Sequence, residues 1–291
     1  AAFAIIGIAI LGIWGWQFVK PETPKPEEAA LKTPEIREIK IAEETAEYKI
    51  NVAYPEFQNL GDASREERAN KAIKAKVDQS IAALKDASRE AEDISPEIKS
   101  EIQIDYELVN VNSQVASIKM RESTYVEGAA HPLTIFWPFN YNFKDNREIA
   151  LADLFKPAGN YLEALSDLAR EDLKGQLKEY YAEDVLEVGT APVSENFSTF
   201  FLAKDKLVIV FNVYQVAAYA AGSQTVEIPY DKLSAVINPE GLIKLIRELS
   251  FRLIPLASAH ETEIPGEEAE ATSTSITFED LGVTKTGLLP T

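Results

Sequence analysis

The sequence predicts an α+β fold: an antiparallel sheet with helices packed on it, preceded by one transmembrane helix. Three observations carry that expectation. Glu101–Asn110 alternates strictly, with Ile102, Ile104, Tyr106 and Leu108 on one side and Gln103, Asp105 and Glu107 on the other, the pattern of a half-buried antiparallel strand. Ser64–Ala91 places Ile73, Val77, Ile81 and Leu84 on one helical stripe, opposite Lys71, Lys74, Asp78, Lys85 and Asp86. Ala1–Val19 is apolar apart from Gln17 and has no charge before Lys20; at about 1.5 Å per residue it spans about 28 Å, close to the hydrocarbon thickness of a bilayer.

Taken in order, the chain opens on that segment, residues 1–19, with Trp14 and Trp16 near its end as an interfacial aromatic belt. Pro21, Pro24 and Pro26 follow at once and make residues 20–35 an extended spacer rather than part of a core. A domain is then expected over residues 36–254, with an N-terminal half (36–125) and a C-terminal half (126–254). Ile36–Ile41 and Tyr48–Tyr54 flank a polar turn and predict a hairpin, with Pro55 ending its second strand. Ser64 and Glu67 form a Ser-x-x-Glu capping box at the start of the long helix. Val115–Tyr125 returns as the partner of Glu101–Asn110. Leu133–Phe143 is a third, aromatic strand interrupted at Pro138.

Leu151–Phe155 reads as a short helical turn. Tyr161–Tyr181 reads as a second long helix, burying Leu162, Leu165, Leu168, Leu173 and Leu177. Phe197–Leu202 and Leu207–Phe211 predict a hairpin across Ala203–Lys206. The second of these is an uninterrupted apolar run, as expected of a strand covered on both faces. Thr225–Ile228 is a further strand stopped by Pro229, and Pro239–Leu253 is a last amphipathic helix. Residues 255–291 are acidic and rich in Ser and Thr, a composition too polar to bury a core.

Composition narrows function by exclusion. Of 291 residues, 46% are hydrophobic, enough for a substantial core, and the net charge is −18. Phosphate recognition needs clustered Lys and Arg, so nucleic acid is not an expected partner. The chain has no cysteine and only two histidines, His131 and His260, which removes thiolate chemistry and cysteine-type metal sites. No cofactor is expected. The string around Ser223 is not the Gly-x-Ser-x-Gly of a nucleophile elbow, and there is no phosphate-binding glycine loop. The 47 acids allow a paired-carboxylate glycosidase without selecting a pair.

Two stretches stand out. In Tyr125-Val-Glu-Gly-Ala-Ala-His131-Pro, glycine and small residues precede a histidine, which predicts a tight loop with close backbone approach. His131 is either part of a binding surface or a loop histidine bonded within the fold. Tyr214 and Tyr219 lie in a small-residue run ending at Gly222. They are either core tyrosines with satisfied hydroxyls or surface aromatics that anchor a partner. Asn196-Phe197-Ser198 matches an N-glycosylation sequon.

These stretches resemble the family typified by the extracytoplasmic domain of the RsiV anti-sigma factor, a domain that also accompanies some bacterial peptidoglycan deacetylases. The corresponding segments are Tyr125–His131, Tyr141–Phe143, Leu151–Phe155, Phe211–Gly222 and Val226–Tyr230, and the resemblance covers about Ile36–Leu253. Ala129 and Pro132 stand where the family usually has glycine, and Gln215 where it has glutamate.

The resemblance implies a membrane-anchored, non-catalytic, extracytoplasmic sensing or binding domain. Its implied partner is a cationic protein such as lysozyme, or cell-wall glycan, with contact residues among Tyr125, Glu127, Gly128, His131, Tyr214, Tyr219 and Gly222. The alternative is a cell-wall polysaccharide-modifying enzyme or its accessory module.

Overall fold

The computed structural model describes residues 30–90 and 98–248. The expected membrane helix, most of the spacer and the acidic tail lie outside the described residues, among which no helix is long and apolar enough to cross a membrane.

The fold is α+β. Strands β1 (Glu35–Glu44), β2 (Tyr48–Gln58), β3 (Ser100–Val111), β4 (Val115–Tyr125), β5 (Leu133–Asn142) and β6 (Arg147–Glu148) form a six-stranded sheet in that order. All neighbours are antiparallel except β2 and β3, which pair in parallel from Tyr48↔Ser100 to Val52↔Ile104. The expectation of a purely antiparallel sheet is corrected here. Adjacent parallel strands need a long crossover, and helix α1 (Ala63–Glu90) supplies it.

Helix α1 lays Ala69, Ile73, Val77 and Leu84 over Ile50, Val52, Ile102, Ile104, Ile118, Met120 and Phe139, all nearly or fully buried. The helix starts differently from its expected capping box. Asp62 is the cap, its Oδ1 accepting from the N–H of Ser64 (3.0 Å) and Arg65 (3.1 Å). Glu66, not Glu67, reaches back to the N–H of Leu60 (3.0 Å). Chiefly the Arg65 N–H, and the Arg65 guanidinium with it, hold the Asp62 carboxyl below the usual carboxylate range.

Pro55, expected to end its strand, and Pro138, expected to interrupt its own, do neither. β2 runs through Pro55, paired with Glu38, and β5 runs through Pro138, paired with Lys119. Both nitrogens face an edge without a strand. β2 pairs with β3 only as far as Val52, and β5 meets β6 only at Tyr141 and Asn142. A proline is tolerated where no ladder hydrogen bond is lost. Two residues along each strand, an asparagine side chain closes the edge. Asn70 accepts from the N–H of Phe57 (2.8 Å) and donates to its carbonyl (2.8 Å). Asn212 does the same at Phe136, accepting at 2.7 Å and donating at 3.0 Å. The alternation of β3 also breaks late: the pairing register shifts between Leu108 and Asn110, and Leu108 is exposed rather than buried.

A second sheet, β7 (Phe200–Leu202), β8 (Lys206–Phe211) and β9 (Gln224–Pro229), is antiparallel and holds a second core with α2 (Tyr161–Leu177) and α4 (Leu242–Glu248). Phe197 belongs to a 3-10 turn, Ser194–Phe197, rather than to β7. Helix α2 stops at Leu177 because Lys178 takes a left-handed φ of 46°, and a 3-10 turn follows. A short helix, α3 (Glu183–Gly189), was not expected from the sequence. Tyr230, just after β9, donates its hydroxyl to Ala203 O (2.9 Å), and burial pushes that hydroxyl's pKa strongly upward.

Candidate functional site

The two sequence stretches meet. Three local devices bring the 212–222 segment against the start of β5. Asn212 fastens its first residue to the β5 edge at Phe136. Gln215 donates to Asn196 O (2.9 Å) and Gly189 O (3.3 Å), and its Oε1 accepts from the N–H of Asn212 (3.2 Å). Gly189 permits this approach: a Cβ there would lie 1.9 Å from Gln215 O. A glutamate at position 215 could donate to neither carbonyl, so Gln215 is matched to its surroundings. Asn196, the sequon asparagine, already donates its amide to Val188 O (2.9 Å) and Ala191 O (3.0 Å).

The result is a shelf of three rings. His131 stacks on Tyr219, with centroids 3.9 Å apart and planes inclined by 25°. Tyr214 leans on Tyr219 at 5.4 Å. The Tyr219 hydroxyl donates to Pro132 O (2.8 Å), and the Tyr214 hydroxyl lies 3.3 Å from His131 Nε2. His131 Nδ1 is 3.1 Å from Pro132 O, which can only accept. That contact assigns the proton to Nδ1 and leaves Nε2 to accept from Tyr214. Both ring nitrogens are therefore engaged. Tyr214 is 57% exposed and holds a left-handed φ of 69°, a conformation that costs about 1–3 kcal/mol for a residue other than glycine.

The remaining expected site residues are not among the three stacked rings. Tyr125 is the last residue of β4. The N–H of Glu127 donates to Ser100 Oγ (3.0 Å). Gly128, at φ 86°, sits in a tight turn in which the N–H of Ala129 returns to Val126 O (2.9 Å). Gly222, at φ 70°, closes the 3-10 turn that carries Tyr219, its N–H returning to Tyr219 O (2.9 Å). Asn212 and Gly189 were missed by sequence reasoning, because their roles depend on contacts across 76 and 26 residues. Among the described residues no group of three or more His, Cys, Asp or Glu side chains is arranged to hold a metal ion.

Two family profiles match the chain: "Deacetylase PdaC" over residues 41–134 and "Protein of unknown function (DUF3298)" over residues 152–231. The peptidoglycan-N-acetylmuramic acid deacetylase PdaC of Bacillus subtilis (strain 168) is 30% identical over 201 residues, 69% of this chain and 41% of that protein. The chain thus spans less than half the length of this relative. A crystal structure of a DUF3298 family member from Bacteroides fragilis NCTC 9343 superposes with a TM-score of 0.55 at 20% identity, covering 75% of this chain and 99% of the other; this likeness is one of fold. A DUF3298 family protein from Pseudomonas aeruginosa PAO1 gives 0.48 at 13% identity.

The matches fit a domain family associated with peptidoglycan deacetylases. They do not carry the anti-sigma side of the resemblance. They also correct the expected function. A sensing or binding domain for a lysozyme-like protein or cell-wall glycan is overturned by the deacetylase relative and the PdaC profile, which favour the alternative of a cell-wall-modifying enzyme or its accessory module.

Proposed function

We propose that this chain is the accessory module of a cell-wall polysaccharide-modifying enzyme, of the class that removes acetyl groups from peptidoglycan. The observation that carries this reading is the 30% identity over 201 residues to a peptidoglycan deacetylase. At the shelf the side chains of His131, Tyr214 and Tyr219 are tied to one another and to Pro132 O. Three partly exposed rings there offer an amphipathic contact surface toward the polymer or the catalytic unit.

The reading places the folded region outside the cytoplasmic membrane, held there by residues 1–19 and lifted off by the proline-rich spacer. The RsiV-type likeness of Phe211–Gly222 and Val226–Tyr230 accords with an extracytoplasmic setting.

Acetate release from purified peptidoglycan tests the proposal. The full chain alone releases none. Fused to the catalytic domain of a peptidoglycan deacetylase, it lowers KM for insoluble peptidoglycan about tenfold through effective concentration, with kcat on a small soluble fragment unchanged. Acetate release by the chain alone would make it a catalyst, and an unchanged KM on fusion would end the accessory reading.

A further inference from the structure

A groove of about 440 Å³ runs between α1 and the β4–β5 ladder, on the helix-covered face of the large sheet. Its size is within the range of small-ligand sites. Glu122 on β4 faces Ile135 on β5, and Met120 faces Trp137, so Glu122, Ile135 and Trp137 share this side of the sheet. Ser80 and Ala83 line the groove from α1, and Pro138 from β5.

The carboxylate in this groove is fixed in place, yet its charge has no counter-ion. Glu122 Oε2 accepts from the Ser80 hydroxyl (2.7 Å) and from the Trp137 indole N–H (3.0 Å). Both donors are neutral. The basic residues beside Glu122 on β4 are committed elsewhere: Lys119 pairs with Glu107 and Arg121 with Asp105, on the opposite face of the sheet. Lys76, which lines the groove, is engaged by Glu148 at 2.7 Å. Among the described residues Glu122 therefore forms no ion pair. It is only partly exposed, and a carboxylate drawn partly out of water favours a partner of opposite charge.

We propose that this groove binds a primary alkylammonium, the side chain of a lysine in a peptide. With two donors on Oε2, Glu122 keeps Oε1 as a single acceptor. An ammonium is a point charge that one oxygen satisfies, whereas a guanidinium pairs best with both oxygens of a carboxylate in a fork. Trp137 lines the same groove with its indole fixed by the bond to Glu122, and indole is the best aromatic partner for a cation. Ile135, Ala83 and Pro138 suit the methylene stem, which lies along apolar surface while its head stays at the polar end. A neutral hydroxyl or amide donor could bond Oε1 but would leave the charge unanswered. A metal ion would meet one carboxylate and, among the described residues, no cluster of ligands. The inference stands on the groove alone and is independent of the accessory reading.

Titration of the full chain, isotope-labelled at tryptophan, with Nα-acetyl-lysine methylamide tests it. The readout is the magnetic resonance signal of the Trp137 indole N–H, identified by its loss in Trp137→Phe. That signal shifts saturably with the lysine amide. The Nε-acetylated amide, which has the same stem and no charge, binds about tenfold more weakly or worse. The arginine analogue also binds more weakly, and added salt weakens the lysine amide by screening the pair. Glu122→Gln, which keeps the volume of the site, lowers affinity about tenfold. Glu107→Gln removes the same charge from the opposite face of the sheet and leaves binding unchanged. Thermal unfolding confirms that each variant is folded.

An unmoved Trp137 signal, or equal affinity for the lysine amide and its acetylated form, overturns the site. Equal losses from Glu122→Gln and Glu107→Gln would assign the binding to the chain's net charge of −18 rather than to the groove, and overturn it as well. Tighter binding of the arginine analogue overturns the ammonium assignment. Glucosamine binding as tightly as the lysine amide would show that the alkyl stem is not recognised and would end the peptide assignment.

Discussion

Tyr214 is held in a left-handed backbone while more than half of its surface faces solvent. Against strain of about 1–3 kcal/mol stand, among the described residues, an exposed 3.3 Å contact with His131 and a tilted contact with Tyr219, and an exposed hydrogen bond returns about 0.5–1.5 kcal/mol. For folding alone, then, the ring contributes little or nothing net. Asparagine adopts the same left-handed conformation more readily. Tyr214→Asn is therefore expected to leave the urea midpoint unchanged or raised, while removing one of the three rings of the shelf. A loss above about 1 kcal/mol in equilibrium unfolding would show that the tyrosine is there for stability. At this scale the sequence was informative about which residues to watch. His131, Tyr214 and Tyr219 were picked out by small-residue surroundings, and they do converge. The two alternatives set for the tyrosines turn out not to exclude each other: their hydroxyls close on the His131 loop, yet Tyr214 remains at the surface.

Among the elements, the edges carry the lesson. Pro55 is expected to end its strand and Pro138 to interrupt its own, because proline breaks a ladder wherever both sides of a strand are paired. Each instead lies on a side with no neighbouring strand, and an asparagine from elsewhere in the chain caps the same side two residues away. Asn70 bonds both backbone groups of Phe57, whose side chain is fully buried. Removing it strands a buried N–H, at a cost of about 1–3 kcal/mol. Asn70→Ala is expected to lower stability by that amount in urea, with amide exchange at Phe57 accelerated ahead of its strand neighbours. Unaltered protection at Phe57 would mean that water replaces the asparagine at no cost. The amphipathic stripe of α1 was legible from its spacing alone. Its cap was misplaced by two residues, because Asp62 and Ser64 are both good capping types and only the backbone path chooses between them.

For the molecule as a whole, one buried polar relay ties the large sheet to the small one. Ser117 on β4 donates to Asn140 Oδ1 on β5 (2.7 Å) and accepts from the N–H of Leu202 on β7 (2.8 Å). Asn140 in turn donates to Phe200 O on β7 (2.8 Å). Every member is buried and satisfied, which makes such a network rigid, and costly to break in part. Asn140→Ala leaves the Ser117 hydroxyl and the Phe200 carbonyl without their partner. The expected result is a loss of about 2–4 kcal/mol, with the two hydrophobic cores unfolding at separate denaturant concentrations when followed by probes in each sheet. A single unfolding transition, shifted by less than about 1 kcal/mol, would show that the cores are coupled elsewhere.

What the sequence determined by itself was the periodic content of the chain: the helix stripe of α1, the strand alternation from Ile102 to Tyr106, the apolar run of β8 and the aromatic run after it. Those signals are local, because side-chain direction repeats every two residues in a strand and about every 3.6 in a helix. The tertiary structure alone decided the parallel pairing of β2 with β3, the free edges that accept proline, and the assembly of His131 with Tyr214 across 83 residues. The same holds for the groove that joins Ser80, Glu122 and Trp137 from three different elements. Contacts of that range are set by which buried surfaces and polar groups satisfy one another in three dimensions, and no periodicity along the chain encodes them.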